Sequence, residues 1–209
     1  MDVRINKDWF EALSSSAPVP GGGGASALAG AGGAALCMMV ANLTVGKKKY
    51  AEQEELMKEF LVRLEKLRDE SLTLIEEDAK GFEPLAAAYS LPSSTDEEKA
   101  EKEKIMAQAL LKACEVPIMI MEKGAEILEI AEELAEKGSV MAVSDVGVAV
   151  QFARTAVLGA SMNVYINTKS MKDRKTAEER NAKADSLNKK ASETADAVFA
   201  KIEGELKCR

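Results

Sequence analysis

Residues Ala25 to Val45 read ASALAGAGGAALCMMVANLTV, and the charge-free run around them extends from Ala12 to Gly46. A bilayer span needs about 20 apolar residues, so the length alone admits a membrane helix. The content argues otherwise. Ala, Gly and Ser dominate over Leu and Val, Lys47, Lys48 and Lys49 close one end, and no aromatic belt marks the other. The reading adopted is a helix buried on every face inside a helical core, with no membrane as partner. Ser26, Ala29, Gly30, Gly33 and Ala34 are small enough to let neighbouring helices approach closely.

Upstream, Asn6 is a good N-cap for a short amphipathic helix carrying Trp9, Phe10 and Leu13, which Ser14, Ser15 and Ser16 stop. Pro18, Pro20 and the glycines Gly21 to Gly24 follow. Downstream, a helix is predicted from Tyr50 to about Leu85. Stepping about 100° per residue from Leu67 places Leu56, Phe60, Leu64, Ser71, Leu74, Phe82 and Leu85 within roughly 60° of it, and Asp78 at roughly 20°. Leu91 to Ser94 break the pattern, and Thr95 with Glu98 forms a capping box for another long helix. Pro117 should kink that helix, which resumes through Ile118, Met121, Ala125 and Leu128 until Gly138. Between Ser139 and Thr168 only Asp145 and Arg154 are ionised, and the last helix, roughly Thr176 to Leu206, is polar with Ala at core spacing. One all-α domain over 1–209 accounts for the whole run.

The 209 residues are 46% hydrophobic, 4% aromatic and 30% charged, enough to bury a core without staples. A net charge of −7 repels phosphate backbones, so no nucleic-acid partner is expected. With no histidine at all, Ser-His-Asp and Cys-His systems are excluded, and with them the commonest zinc sites. Cys37, Cys114 and Cys208 are scattered and odd in number, which reads as reduced cytoplasmic thiols rather than a metal or redox pair. No basic n-region leads into an apolar stretch at the N-terminus, so secretion is not expected.

Chemistry concentrates at a few places, each with a plain structural alternative. Gly21, Gly22 and Gly23, with Gly24, read either as a loop whose N–H groups face a ligand anion or as a turn that permits tight packing. Asp78, in the middle of an apolar stripe, should lose solvation and have a raised pKa; it is a proton shuttle or a structurally paired carboxylate. Asp145 follows Ser144 where a helix can begin, and reads first as an N-cap. Lys47 to Tyr50 are a solvated C-terminal turn or a holder of a carboxylate-tailed ligand. Asn42, Asn163 and Asn167 lie in segments nearly free of polar groups, where their amides bridge helices or read the edge of a heterocycle.

Taken together, Pro20-Gly21-Gly22-Gly23, the run from Met39 through Asn42 to Lys48-Lys49-Tyr50, and Asp78 ahead of Gly81-Phe82 resemble the formiminotetrahydrofolate cyclodeaminase and methenyltetrahydrofolate cyclohydrolase family. Val116-Pro117, Ser144 to Ala149, Gly159 through Asn163-Val164, and Ile166-Asn167 follow in the family's order, so the likeness covers nearly the whole chain. The resemblance implies an all-α, largely antiparallel up-down bundle that dimerises through its helices and acts on folate one-carbon units without a cofactor or metal. The family's essential aspartate maps onto Asp78. Substrate contacts are then expected at Gly21, Gly22, Gly23, Asn42, Lys48, Lys49, Tyr50, Asp145 and Asn163, with the two lysines or the glycine N–H groups suited to the glutamate tail. No transferase domain accompanies the sequence, which favours the cyclohydrolase over the cyclodeaminase. A third reading is a folate-binding or scaffolding dimer without catalysis.

Overall fold

The computed structural model describes residues 7–208, all helices and connections with no strand among them. The expected cap at Asn6 lies outside the described residues. A short α1 (Lys7–Leu13) precedes six long helices: α2 (Gly22–Thr44), α3 (Glu54–Tyr89), α4 (Asp96–Ala113), α5 (Glu115–Lys137), α6 (Val143–Lys169) and α7 (Arg174–Lys207). Short 3₁₀ turns at Lys48–Gln53 and Val140–Ala142 lead into α3 and α6.

α2 occupies the centre because its residues are small. It makes its most extensive contacts with α6 and α3, and further ones with α5. At Gly33 a Cβ would sit 3.2 Å from both the carbonyl oxygen of Ala149 and the amide nitrogen of Ala153, so any side chain there would push the two backbones a few tenths of an ångström apart. α6 answers with Ala149, Ala153, Ala156 and Ala160, all fully buried. α2 and α6 are each long and apolar enough to cross a membrane, but about half of each apolar stretch is buried inside the bundle.

Burial on every face is nevertheless not what one chain achieves. Ala25, Ala29, Gly32 and Leu36 on α2 are only partly covered, and Met39 and Leu43 are exposed. Val148, Phe152, Met162 and Ile166 of α6 continue this apolar face. The two strips adjoin: a Cβ on Gly32 would meet the Phe152 ring at 3.0 Å. The cause is geometric, since the surrounding helices cover the inner sides of α2 and α6 and leave their outer sides open.

The apolar stripe predicted for α3 is buried at Phe60, Leu64, Leu67, Ser71, Leu74 and Leu85, with Leu56 and Phe82 packed against the core. The helix runs past the predicted end, through Pro84, to Tyr89. Proline costs one hydrogen bond there, and its would-be acceptor, the carbonyl of Lys80, belongs to an exposed residue. The Thr95–Glu98 capping box is present at the start of α4. Instead of one helix kinked at Pro117, the chain breaks at Cys114, and Pro117 stands in the first turn of α5, where an N–H has no intrahelical partner. Ala177, Ala184, Ala191 and Ala195 of α7 supply its buried side.

The antiparallel course sorts the helix ends. One end gathers the start of α2, the later part of α3, the α4–α5 junction and the end of α6. The other gathers the end of α2, Lys48–Gln53 and the start of α6, tied together where the Ser139 N–H donates to Thr44 Oγ1 (2.8 Å) and the Val140 N–H donates to Tyr50 Oη (3.1 Å). Leu64, fully buried in the core, should cost about 2–5 kcal/mol when cut to Ala. Val62 on the same helix is 71% exposed and should change stability by no more than about 0.5 kcal/mol. Denaturant titration of both variants checks the pair.

Candidate active site

The four glycines are not a loop before a helix. Gly21 is the N-cap of α2, and Gly22, Gly23 and Gly24 form its first turn. Pro18 and Pro20 cannot donate amide hydrogen bonds, and helix begins only after them. A helix start leaves four N–H groups without intrahelical partners. One of these is answered by the chain itself: the Gly24 N–H donates to Asp78 Oδ2 at 3.0 Å. The anion at this helix end is therefore the protein's own carboxylate, where the glycine pattern had suggested a ligand. Glycine is required at position 23, because a Cβ there would lie 2.2 to 2.5 Å from the carboxyl atoms of Asp78.

Asp78 is half-buried, and burial raises its pKa above the ordinary aspartate value while the Gly24 N–H pulls it partly back. Among the described residues no cation contributes. The alternative of a salt-bridged structural aspartate is thus not what the structure contains. What remains is an acid with one amide donor, open on its other side to a cleft of about 240 Å³.

Four segments wall this cleft. Pro18, Val19, Gly21 and Gly22 come from the start of α2, and Gly81 and Phe82 from α3 one turn beyond Asp78. Lys112, Ala113, Val116 and Pro117 come from the α4–α5 junction; Asn163, Ile166 and Asn167 come from α6. Asn167 bridges helices, donating through Nδ2 to the Ala113 carbonyl (3.0 Å). Asn163 faces Gly22, where a Cβ would stand 3.6 Å from its Nδ2, and its own bond to the Gly159 carbonyl is long at 3.5 Å. That amide is placed to read a donor-acceptor edge.

The structure therefore brings together Gly21, Gly22, Gly23, Asp78 and Asn163. It does not bring Asn42, Lys48, Lys49, Tyr50 and Asp145 to them within one chain. α2 rises about 33 Å from Gly22 to Thr44, and these residues belong to its far end. Asn42 is exposed there. Lys49 Nζ lies 5.2 Å from the centre of the Tyr50 ring, and the Val140 N–H, with Lys49 assisting, lowers the Tyr50 pKa. Asp145 is not an N-cap: Ala142 holds that position, and Asp145 sits inside the first turn of α6, where its charge complements the helix dipole.

Lys112 is the residue that sequence reasoning missed. A single lysine in the last turn of a polar helix looks like any other favourable C-terminal charge, and only the fold turns it toward Asp78's cleft. A second cleft, about 330 Å³, is lined by Lys99, Lys102 and Lys172. Its charges are already engaged: Lys102 donates to the carbonyls of Tyr89 and Leu91, Lys172 pairs with Glu103, and Lys99 with Asp96.

Fold and cleft together define a helical-bundle protein whose cleft holds one half-buried carboxylate at a helix N-terminus. Residues 6–186 match the family model described as formiminotransferase-cyclodeaminase, and the chain belongs to that family. It is 41% identical over 193 residues to a methenyltetrahydrofolate cyclohydrolase of Methylorubrum extorquens, covering 89% of this chain and 93% of that one. It is 31% identical to the formimidoyltransferase-cyclodeaminase of Gallus gallus, of which it spans 36%. The crystal structure of formiminotetrahydrofolate cyclodeaminase from Thermotoga maritima superposes with a TM-score of 0.86 at 25% identity, covering 98% of each chain.

The raised pKa fixes the sign of a stability test. A carboxyl that holds its proton more tightly when folded contributes most below the unfolded value of about 3.9, and that contribution is lost as pH rises through the folded pKa. Asp78→Asn should therefore match or exceed the wild-type denaturation midpoint at pH 7, with the gap closing toward pH 4. A variant much weaker than wild type at pH 7 would show an aspartate held as a favourable ion.

Proposed function

We propose that this chain is a cytoplasmic methenyltetrahydrofolate cyclohydrolase, which opens 5,10-methenyltetrahydrofolate to 10-formyltetrahydrofolate. The observation that carries the reading is Asp78, half-buried, uncompensated by any cation among the described residues and facing the cleft that Asn163 also lines. The substrate's bridging carbon sits in a cationic amidinium, so it is electron-poor and attracts both a carboxylate and water. Asp78 takes a proton from water as the oxygen adds to that carbon. The same carboxyl then returns the proton to N5 as the carbon–N5 bond breaks, while the adduct's hydroxyl proton is released to solvent, leaving the neutral formyl group on N10 and one proton freed overall. One group with a pKa pulled toward neutrality serves both steps. Asn163 and the cleft walls hold the ring system so that water and carbon meet in line with the carboxyl.

A second reading, formiminotetrahydrofolate cyclodeaminase, is favoured by the fold match over nearly the whole of the Thermotoga maritima enzyme. There a ring nitrogen attacks the formimino carbon and ammonia leaves, a proton transfer the same carboxyl can perform. Offering the purified protein methenyltetrahydrofolate and formiminotetrahydrofolate in parallel, with absorbance and ammonia release followed, decides between them. Faster turnover of the methenyl compound is expected. Asp78→Asn should lower kcat at least about a hundredfold, and binding without turnover by the wild type would leave only a non-catalytic folate binder.

The working unit we propose is a homodimer joined through the open apolar face of α2 and α6, a face too continuous to be left in water. One chain's cleft of about 240 Å³ is smaller than the roughly 300–1,000 Å³ of sites that enclose a whole drug-sized ligand. Gly22 and Ile166 both line the cleft and are exposed, so a second copy on this face adds a wall to the site. Sedimentation should give a dimer at micromolar concentration, and Met39→Glu with Met162→Glu should yield folded monomer. A wild-type monomer overturns this.

A further inference from the structure

We propose that Lys112 holds the glutamate carboxylate of the folate substrate, an assignment that rests on the folate reading above. Among the described residues Lys112 is the one cation in the lining of the Asp78 cleft, placed by the last turn of α4. Among the described residues it forms no ion pair and no side-chain hydrogen bond, unlike Lys99 and Lys102 earlier on the same helix. An exposed, unengaged ammonium at the rim of a cleft suits a carboxylate that arrives from solvent.

The charge layout gives the direction in which the substrate lies. Its reacting carbon is cationic and belongs beside Asp78, away from a lysine; its anionic end belongs beside one. Asp78 reaches the cleft from α3 and Lys112 from the last turn of α4, so the two charges enter it from different walls. A ligand with a cationic centre and a distant carboxylate matches that order. Lys48 and Lys49, expected from sequence to take the tail, lie a full α2 length away in the same chain, about 33 Å, which a folate monoglutamate does not span.

The test compares Lys112→Met with wild type on whichever one-carbon folate the wild type turns over, and on the analogue of that substrate built on tetrahydropteroate, which lacks glutamate. Loss of a charge-assisted hydrogen bond should raise KM for the glutamate-bearing substrate by about ten- to hundredfold, with kcat changed less and the pteroate analogue affected little. Lys112→Arg should restore most of the affinity. Equal losses on both substrates would make Lys112 structural and overturn the assignment, as would no change on either. Preference for the glutamate-bearing substrate that survives Lys112→Met but vanishes in the Lys48→Met/Lys49→Met double variant would hand the tail to those lysines and overturn it as well. Wild type that neither binds nor converts any folate would sink the folate reading itself, a result distinct from all of these.

Discussion

The hydrogen bond from the Gly24 N–H to Asp78 Oδ2 is the contact around which the functional end of the bundle is arranged. It fixes the start of α2 against the later part of α3, and it exists because position 23 has no side chain to fill the space the carboxyl occupies. With those two helices fixed, the cleft follows, since Asn163 reaches Gly22 only if α6 also lies close to α2. That approach in turn rests on small residues along α2 and α6: at Gly159 a Cβ would stand 2.4 Å from Ser26 Oγ. A larger residue at any of these positions would move a wall of the site as well as loosen the core.

Segregation of charge is the second constraint. The two helices that carry most of the central packing are almost free of ionised groups, so the cleft is built from backbone amides, side-chain amides and one acid, with Lys112 at its rim. Apart from Arg154 of α6, which pairs with Asp196, the ion pairs of the described residues lie on the outer helices, and most are exposed and of small energetic weight. Among the described residues no cation neutralises the carboxyl at the inner end; burial raises its pKa and one amide pulls it partly back.

Much of this was legible in the sequence, for identifiable reasons. The helical period between Tyr50 and Leu85 placed Asp78 among buried apolar residues because 3.6-residue periodicity is a local property of the chain. The capping box at Thr95 and Glu98 was equally local. What was not legible depends on which helix ends meet. Lys48, Lys49 and Tyr50 adjoin a glycine-rich helix in sequence, yet that helix carries them to the opposite end of the bundle, while Lys112, remote in sequence, arrives at the cleft. The open side of α2 was hidden too, because an all-apolar helix carries no periodic signal to separate a face buried within the chain from one left for another molecule. Asp145 shows a smaller version of the problem: the cap of α6 is Ala142, three positions earlier, and nothing in the run between them marks which residue begins the helix.

Asp78 sits under two opposed influences, and their balance bears on the proton-shuttle role proposed for it. A helix N-terminus favours the ionised form by typically 0.3–1 kcal/mol, and up to about 2 when partly buried, whereas one pKa unit corresponds to about 1.4 kcal/mol. Held only by the helix end, the carboxyl would stay a weak base; held only by apolar walls, it would stay protonated and could not accept from water. In the structure burial wins, but the Gly24 N–H restrains it. In the proposed reaction a cationic substrate entering the cleft adds a third influence, which favours the carboxylate when water is to be activated and fades as the product becomes neutral. The acid is thus left ready to give its proton back at the moment the ring opens. On this account the glycines serve the chemistry twice, by making room for the carboxyl and by supplying the N–H that keeps it from being too weak an acid.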